Sequence, residues 1–392
     1  MIYRYKFKNF FSFAEETEVS LAVSQHVPSS DSIGNSEAGA RLSKAMAIMG
    51  SNASGKTNLL KPLNFLHWFV NDSFQWSVNN QVPLYPHMLS TNKPSEFEVE
   101  FDFSGELWKY QLKATTKRVI WEALYKKVSR YSYIFTREWK PKDRSYIIKQ
   151  KGFGFNKREA EKVRENASLI STAAQYGVEL AKAFRSLSIQ SNVDLFGRVR
   201  TARDSVNGVA KFFKNNPSHK SHMVKLLRAW DLGLTDVEIR QLNVNPEKPE
   251  EMKDFLVGIH GNSKGKFELL FLQESSGTQG ALILLSKILP VLADGGLVVI
   301  DELEADLHPH MLEPILNLFF NKKTNPNNAQ IIFTCHAAEV LNLLHKSQVT
   351  LVEKDHEHTS HAWRLDEVQG IRADDNLYAK YMAGAYSAVP EV

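Results

Sequence analysis

The chain has 392 residues, of which 43% are hydrophobic and 23% are charged, and its formal net charge is +4 at neutral pH. This composition is ordinary for a globular protein with a large core, and the length suits one domain that carries an inserted lobe. A single cysteine, Cys335, excludes a disulfide framework and a zinc site built from several cysteines.

Strand patterns open the chain. Residues 1–25 alternate between apolar and polar side chains, and residues 26–44 are rich in serine and glycine, as a loop would be. The apolar run at 46–49 then predicts a short, buried, parallel strand. We therefore expect a parallel sheet to begin in this part of the chain.

A phosphate-binding loop follows the predicted strand. Residues 50–57 read Gly-Ser-Asn-Ala-Ser-Gly-Lys-Thr and match G-x-x-x-x-G-K-[ST] in full. Backbone N–H groups of such a loop point at phosphate oxygens, and the helix after it favours anions at its N-terminus. Lys56 would neutralise the β- and γ-phosphates, and Thr57 would place a hydroxyl on Mg²⁺. The predicted nucleotide-binding residues of this segment are Gly50, Asn52, Ser54, Gly55, Lys56, Thr57 and Asn58.

The middle of the chain changes its pattern twice. Apolar and aromatic side chains alternate from 96 to 137, with turn-like residues at 104–106 and 115–117, and this predicts an antiparallel sheet. Residues 156–230 have mostly helical spacing, with a break at 215–219. No sustained heptads occur, so we expect no long coiled coil.

The middle is also strongly basic. Residues 106–228 contain 27 Lys and Arg against 10 Asp and Glu, which leaves the rest of the chain acidic. This excess indicates an anionic partner, either nucleic acid or an acidic protein surface, including that of a second copy. Aromatic residues between Trp108 and Phe135 would suit base stacking, but their alternation is better explained by the buried face of a sheet.

A polar segment before an apolar helix offers a second anion site. Residues 273–280 read Gln-Glu-Ser-Ser-Gly-Thr-Gln-Gly and are followed by the apolar run that starts at Ala281. Hydroxyl and N–H groups just before a helix can bind an anion, and Ser276 and Gly277 are the candidates. A plain N-capped helix is the alternative.

Two further apolar runs end in polar residues. Residues 297–300 read Leu-Val-Val-Ile and lead into Asp301 and Glu302, a Walker B arrangement in which Asp301 would hold Mg²⁺ and Glu302 would act as general base. Residues 331–333 lead into Thr334, Cys335 and His336. A histidine there could contact the γ-phosphate, although a lone histidine is more often structural.

In this order, the motifs resemble those of ABC-like ATPases of the SMC, RecF and OLD branch, and most closely their short, single-head bacterial antiphage relatives of abortive-infection type. Residues 2–13 resemble the family's first strand and its Asn-Phe-x-Ser-Phe turn, residues 301–309 its Walker B and D-loop, and residues 381–390 its C-terminal tail. The resemblance implies an α/β head with a parallel P-loop sheet, an antiparallel β lobe, a helical insertion and no long coiled coil. It also implies that Ser276 and Gly277 complete the phosphate site of a second subunit.

The resemblance leaves the Q-loop open, with Gln81 and Gln111 as candidates. The expected domain boundaries follow the motifs. They are 1–95 for the first part of the head, 96–150 for the antiparallel lobe, 151–235 for a mainly helical basic insertion, and 236–392 for the rest of the head.

These patterns predict an ATP- and Mg²⁺-dependent switch that forms a homodimer or higher homo-oligomer. No signal peptide is evident and the apolar stretch 281–293 is interrupted by Lys287 and Pro290, so we expect a cytoplasmic protein without a membrane span. No Asp-x-Asp nuclease pattern follows the head, and His356, His358 and His361 make only a weak metal candidate. The leading expectation is a regulator of antiphage defence with a separate nuclease or toxin effector. The alternative is a DNA repair or recombination ATPase that binds duplex DNA through the basic middle.

Overall fold

The computed structural model describes residues 1–199, 203–243, 247–248, 250–305, 307–372 and 375–389. The strands are β1 (Ile2–Lys8), β2 (Thr17–Ser20), β3 (Ile33–Asn35), β4 (Arg41–Ser43), β5 (Ala45–Met49), β6 (Ser95–Phe103), β7 (Glu106–Ala114), β8 (Val119–Lys127), β9 (Tyr131–Lys140), β10 (Ser145–Gln150), β11 (Ile189–Ser191), β12 (Asp236–Asn243), β13 (Met252–Asn262), β14 (Gly265–Leu270), β15 (Leu297–Ile300), β16 (Gln330–Thr334), β17 (Val349–Lys354) and β18 (Ser360–Arg364). The helices are α1 (Lys56–Asp72), α2 (Lys157–Glu161), α3 (Leu169–Gln175), α4 (Glu179–Arg185), α5 (Arg203–Asn215), α6 (Pro217–Ala229), α7 (Ser276–Asp294), α8 (Leu312–Phe320) and α9 (Leu377–Met382).

A mainly parallel sheet forms the centre of the head. Its strand order is β11-β15-β16-β5-β17-β18, and only the pairing of β18 with β17 is antiparallel. Every residue of β5, β15 and β16 is buried, as expected for strands covered on both faces. Parallel strands present their carboxyl ends at one edge, so the residues after these three strands are brought together there.

An antiparallel sheet covers one side of the head. Its order is β10-β9-β8-β7-β6-β1-β2, so the two N-terminal strands join the predicted β lobe. Its outer face carries matched charges: the Arg4 guanidinium lies 2.9 Å from a Glu100 oxygen, and the Lys113 ammonium lies 2.6 Å from a Glu96 oxygen. The opposite face is apolar and packs inward.

Two hydrophobic cores lie on the two faces of the parallel sheet. On one face, Met46 and Ile48 of β5 pack with α1 and the inner face of the antiparallel sheet. On the other face, Ala47 of β5 packs with α7 and α8. Helix α1 is thus held between two sheets, which fixes the direction in which the helix leaves the end of β5.

The basic insertion contains both helices and strands. Helices α2 to α6 occupy much of the segment expected to be helical, but β11 lies inside it and forms an edge strand of the parallel sheet. A three-stranded antiparallel sheet, β12-β13-β14, follows α6. Among the described residues no helix exceeds the 19 residues of α7, so the fold class predicted from the sequence is confirmed, including the lack of a long coiled coil in that part of the chain.

Helix α7 is long and apolar enough, by length and composition, to cross a membrane. Half of its most apolar window is buried inside the protein, and Leu285 and Ile288 belong to the core beside the parallel sheet. Buried core helices satisfy the same test. Burial also lowers the pKa of the Lys287 ammonium, which lies on this helix.

Candidate nucleotide-binding site

The phosphate-binding loop connects β5 directly to α1, as its sequence predicts. Gly50 and Gly55 have φ angles of 154° and 112°, a region that favours glycine. A Cβ atom on Gly50 would collide with the Val352 carbonyl, and one on Gly55 would collide with the Ser360 hydroxyl. The Ser54 hydroxyl is buried and has no hydrogen-bond partner, which is consistent with a group that would bond a ligand.

The Lys56 side chain folds back over this loop. Its ammonium donates to the carbonyl oxygens of Gly50 and Ser51, at 2.9 and 2.8 Å. Burial lowers the pKa of Lys56, and the nearby carboxylates, that of Asp301 first, act in the opposite direction. A cation held by neutral carbonyl oxygens can exchange them for the more strongly attracting oxygens of a phosphate.

The Asp301 carboxylate accepts hydrogen bonds from two hydroxyl groups. Thr57 Oγ1 donates to the Asp301 carboxylate, 2.9 Å from Oδ2 and 3.1 Å from Oδ1. Thr334 Oγ1 donates to Oδ1 at 2.7 Å. A hydroxyl and a carboxylate in contact at the end of a phosphate-binding loop are oxygen donors of the kind that Mg²⁺ prefers, so the residues fit this ion.

Glu302 follows Asp301 in an uncommon backbone conformation. Its φ is 53°, in the left-handed region, and its N–H donates to Thr334 Oγ1 at 2.7 Å. The side chain is 42% exposed, and its Oε2 lies 2.6 Å from Arg198 Nη1. The predicted base is therefore reachable from solvent and is paired with a cation.

Asn192 is a site residue that the sequence analysis missed. Its Oδ1 accepts from the Asp301 N–H at 2.7 Å, and its Nδ2 donates to the Asp301 carbonyl at 3.0 Å. The Asn192 side-chain amide thus satisfies both backbone polar groups of Asp301. Asn192 comes directly after β11, which pairs with β15 only through the tertiary fold, so no local pattern could reveal this contact.

His336 lies two residues after β16, beside the two acids. Its side chain is exposed, and its N–H donates to Glu304 Oε1 at 2.5 Å. The other Glu304 oxygen is buried without a partner. Glu304 was not predicted as a site residue, although its position three residues after Asp301 was visible in the sequence.

The turn after β1 supports the phosphate-binding loop. The Asn58 side chain donates to Ser12 Oγ at 3.0 Å. The Ser360 N–H donates to the Ser12 carbonyl at 2.8 Å, and its hydroxyl donates to the Ser54 carbonyl at 2.6 Å. Asn52 remains exposed in the loop. The resemblance of residues 2–13 to the family therefore concerns a segment that touches the site.

The second predicted anion site is at the start of α7. Ser275 caps this helix, because its Oγ accepts from the Thr278 N–H at 3.2 Å. Ser276 is exposed and Gly277 partly exposed. Glu274, just before the cap, bonds His260 Nε2 at 2.8 Å, which ties the segment to β13.

The Q-loop and metal-site candidates from the sequence are bonded elsewhere or exposed. Gln111 lies in β7 and donates to Glu98 at 2.7 Å, and the Gln81 side chain is exposed. His361 bonds Asp355 at 2.8 Å. Within the described ranges, no three His, Cys, Asp or Glu side chains are grouped as a metal site. Asp306 of the D-loop segment, and Pro390 at the end of the tail segment, lie outside the described residues.

We expect Asn192→Ala to weaken both the fold and the site. The change leaves the N–H and carbonyl of Asp301 without these partners, which costs about 1–3 kcal/mol when such groups are buried. Urea denaturation measures the loss. Asn192→Asp is the matched control, because it keeps the acceptor for the N–H and should fall between wild type and Asn192→Ala. Equal stability of all three proteins would contradict the role assigned to the amide.

Comparison with known proteins places the chain. No curated protein matches it. Among solved structures, the SMC head domain from Thermotoga maritima is similar at 14% sequence identity, over 93% of this chain and 98% of that chain, with a TM-score of 0.44. The family model described as "AAA domain, putative AbiEii toxin, Type IV TA system" matches residues 45–342, which include the phosphate-binding loop, Asp301 and His336. The predicted relation to ATPases of abortive-infection type is thereby confirmed, and the chain belongs to this AAA domain family.

Proposed function

We propose that this protein binds and hydrolyses ATP in the presence of Mg²⁺. The observation that carries the proposal is the meeting of Lys56, Thr57 and Asp301 at one edge of the parallel sheet, with the Thr57 hydroxyl on the Asp301 carboxylate. Lys56 would leave the two loop carbonyls for the β- and γ-phosphates. The predicted loop residues, including Ser54 and Asn58, surround this position.

Thr57 and Asp301 would hold Mg²⁺, which when bound neutralises charge on the phosphate oxygens. Glu302 would accept a proton from the attacking water as general base. His336 is exposed beside these acids and would contact the γ-phosphate. Asn192 and Thr334 hold the Asp301 backbone and carboxylate, so this carboxylate would already be in position when the triphosphate enters.

Two copies of the chain would complete each other's sites. Ser276 and Gly277 lie at the N-terminus of α7, where hydroxyl and N–H groups face outward and favour an anion. By the resemblance to ABC-like heads, this corner would contact the triphosphate held by a second copy. ATP would then close a homodimer, or a larger homo-oligomer, and hydrolysis would open it.

The biological role that we propose is the regulation of bacterial antiphage defence from the cytoplasm. The description of the matching family names a putative toxin of a Type IV toxin–antitoxin system, and this supports a defence context. In our proposal, the ATP-driven change between closed and open forms would hold or release a separate nuclease or toxin. This division of labour rests on family analogy.

Nucleic acid is a second candidate partner, and exposed cations around the edge strand β10 and its neighbour β9 favour it. They are Lys127, Arg130, Lys142, Arg144, Lys149 and Lys151. Elsewhere on the sheet, acids neutralise basic side chains, as in the pairs of Lys113 with Glu96 and of Lys126 with Glu106. A duplex would therefore bind at this edge and not along the whole basic middle.

Glu302→Gln should bind ATP but hydrolyse it about 10²-fold more slowly or worse, because the amide cannot accept the proton of the water. Phosphate release measures the rate, and light scattering during gel filtration should show an ATP-stabilised dimer. Glu313→Gln is the control, since that side chain is exposed on α8 and should leave both properties unchanged. Normal turnover by the Glu302 variant would remove this residue from the base role.

Mixed dimers test the shared sites. Lys56→Ala and Ser276→Arg proteins should each be inactive alone. When they are mixed, turnover should return to at most roughly a quarter of the wild-type value, because half of the dimers are mixed and each contains one intact composite site. The control is Lys56→Ala protein mixed with the Lys56→Ala,Ser276→Arg double variant. This mixture should stay inactive, because no dimer in it contains an intact composite site. Absence of recovery in dimers shown to be mixed would argue against composite sites.

The partner can be tested directly. We expect the tagged protein to co-purify with a nuclease or toxin identified by mass spectrometry, and ADP or Lys56→Ala to change the amount recovered. The contrary result is duplex DNA binding that weakens steeply with salt and is lost in Lys142→Glu,Arg144→Glu, without any such effector. That outcome would favour the DNA repair alternative.

A further inference from the structure

The predicted general base is bonded to a cation from a distant part of the chain. Arg198 Nη1 lies 2.6 Å from Glu302 Oε2, across a sequence separation of 104 residues. The two side chains are 26% and 42% exposed, so the pair is neither buried nor fully solvated. Such charge-assisted hydrogen bonds with guanidinium are short and directional.

Arg198 is held in position by a compact hairpin formed by residues 192–199. Val193 and Arg198 form an antiparallel bridge, and the Val199 N–H donates to the Asn192 carbonyl at 2.7 Å. At the tip, Asp194 Oδ1 accepts from the N–H groups of Phe196 and Gly197, at 2.7 and 3.0 Å. Hydrogen bonds within the hairpin therefore fix its backbone, including the position from which the Arg198 side chain extends.

The same hairpin contacts both acids of the Walker B strand. It begins at Asn192, which bonds the peptide of Asp301, and it ends beside Arg198, which bonds the carboxylate of Glu302. Its tip faces outward, because Phe196 is 85% exposed. A contact made at the tip could consequently reach Glu302 through one short, rigid element.

We propose that Arg198 restrains Glu302, so that ATP hydrolysis requires the pair to break. The inference rests on the proposed ATPase function and adds a means of regulating it. The guanidinium occupies one acceptor site of Oε2 and holds this oxygen toward the hairpin, so the carboxylate has to leave this bond before it can turn to the attacking water. The pair also fixes the direction of the Glu302 side chain, toward the hairpin. Arg198 is thus a positioning residue that acts through the base.

Removing the guanidinium should increase turnover. We expect Arg198→Ala to raise kcat for ATP by about two- to fivefold, the range that corresponds to loss of a partly exposed ion pair. KM should stay within about twofold, because the groups expected to contact phosphate are unchanged. Arg198→Lys keeps a cation within reach and should restore most of the restraint, which a purely structural role of the hairpin would not predict.

Arg118→Ala is the matched control. Arg118 and Glu165 form a similar pair at 3.1 Å, with side chains 29% and 45% exposed, at the turn between β7 and β8. This variant should hydrolyse ATP at the wild-type rate. Thermal unfolding checks that each protein is folded, and Arg198→Gln, which keeps part of the stem, replaces Arg198→Ala if the alanine variant is unstable.

The outcomes separate the two proposals. If wild type hydrolyses ATP and Lys56→Ala does not, but Arg198→Ala has an unchanged or lower kcat, the restraint is wrong and the ATPase function stands. If neither wild type nor the Arg198 variants bind ATP more tightly than Lys56→Ala does, the ATPase proposal fails and the restraint falls with it. A higher kcat in Arg198→Ala, reversed by lysine, supports both.

Discussion

The hydroxyl group of Thr334 is the contact on which the geometry of the site depends. It donates to the Asp301 carboxylate and accepts from the Glu302 N–H, both at 2.7 Å. Thr334 ends β16, the strand that lies between β15 and β5 in the parallel sheet. The acids that follow β15 are thus tied to β16. From the helix that follows β5, Thr57 reaches the same Asp301 carboxylate. Any slip in register between these strands would separate the hydroxyls from the carboxylate they share.

Three charged groups of the site have partners within the chain, and a ligand must compete with these partners. Lys56 is held by loop carbonyls, Arg198 by Glu302, and the Asp301 carboxylate by two hydroxyls. A triphosphate with its metal ion would have to exchange several of these bonds together. In the proposed switch, the same contacts would therefore couple nucleotide binding to rearrangement.

The sequence predicted those parts of the fold and site that have local patterns. The apolar strands β5, β15 and β16, the loop at 50–57 and the acids at 301–302 are each contiguous, so periodicity and motif spacing revealed them. Asn192 and Arg198 were missed because their partners lie about a hundred residues away and are reached only through the pairing of β11 with β15. Three residues are too few to show a strand pattern, and β11 was hidden in a segment with helical spacing.

The two halves of the proposed composite site differ in how completely they are built. The P-loop side is supported from three directions, by Asn192, by Thr334 and by the Ser12 turn that bonds Asn58. The start of α7 is supported from below by the bond of Glu274 to His260, while its serine and glycine face outward. A helix start that is held rigidly yet exposes hydroxyl and N–H groups is suited to an anion that arrives from outside its own chain. In the proposed composite site the P-loop side would hold most of the triphosphate, so the contact at α7 would form and break with the chemistry at Glu302 without loss of the nucleotide.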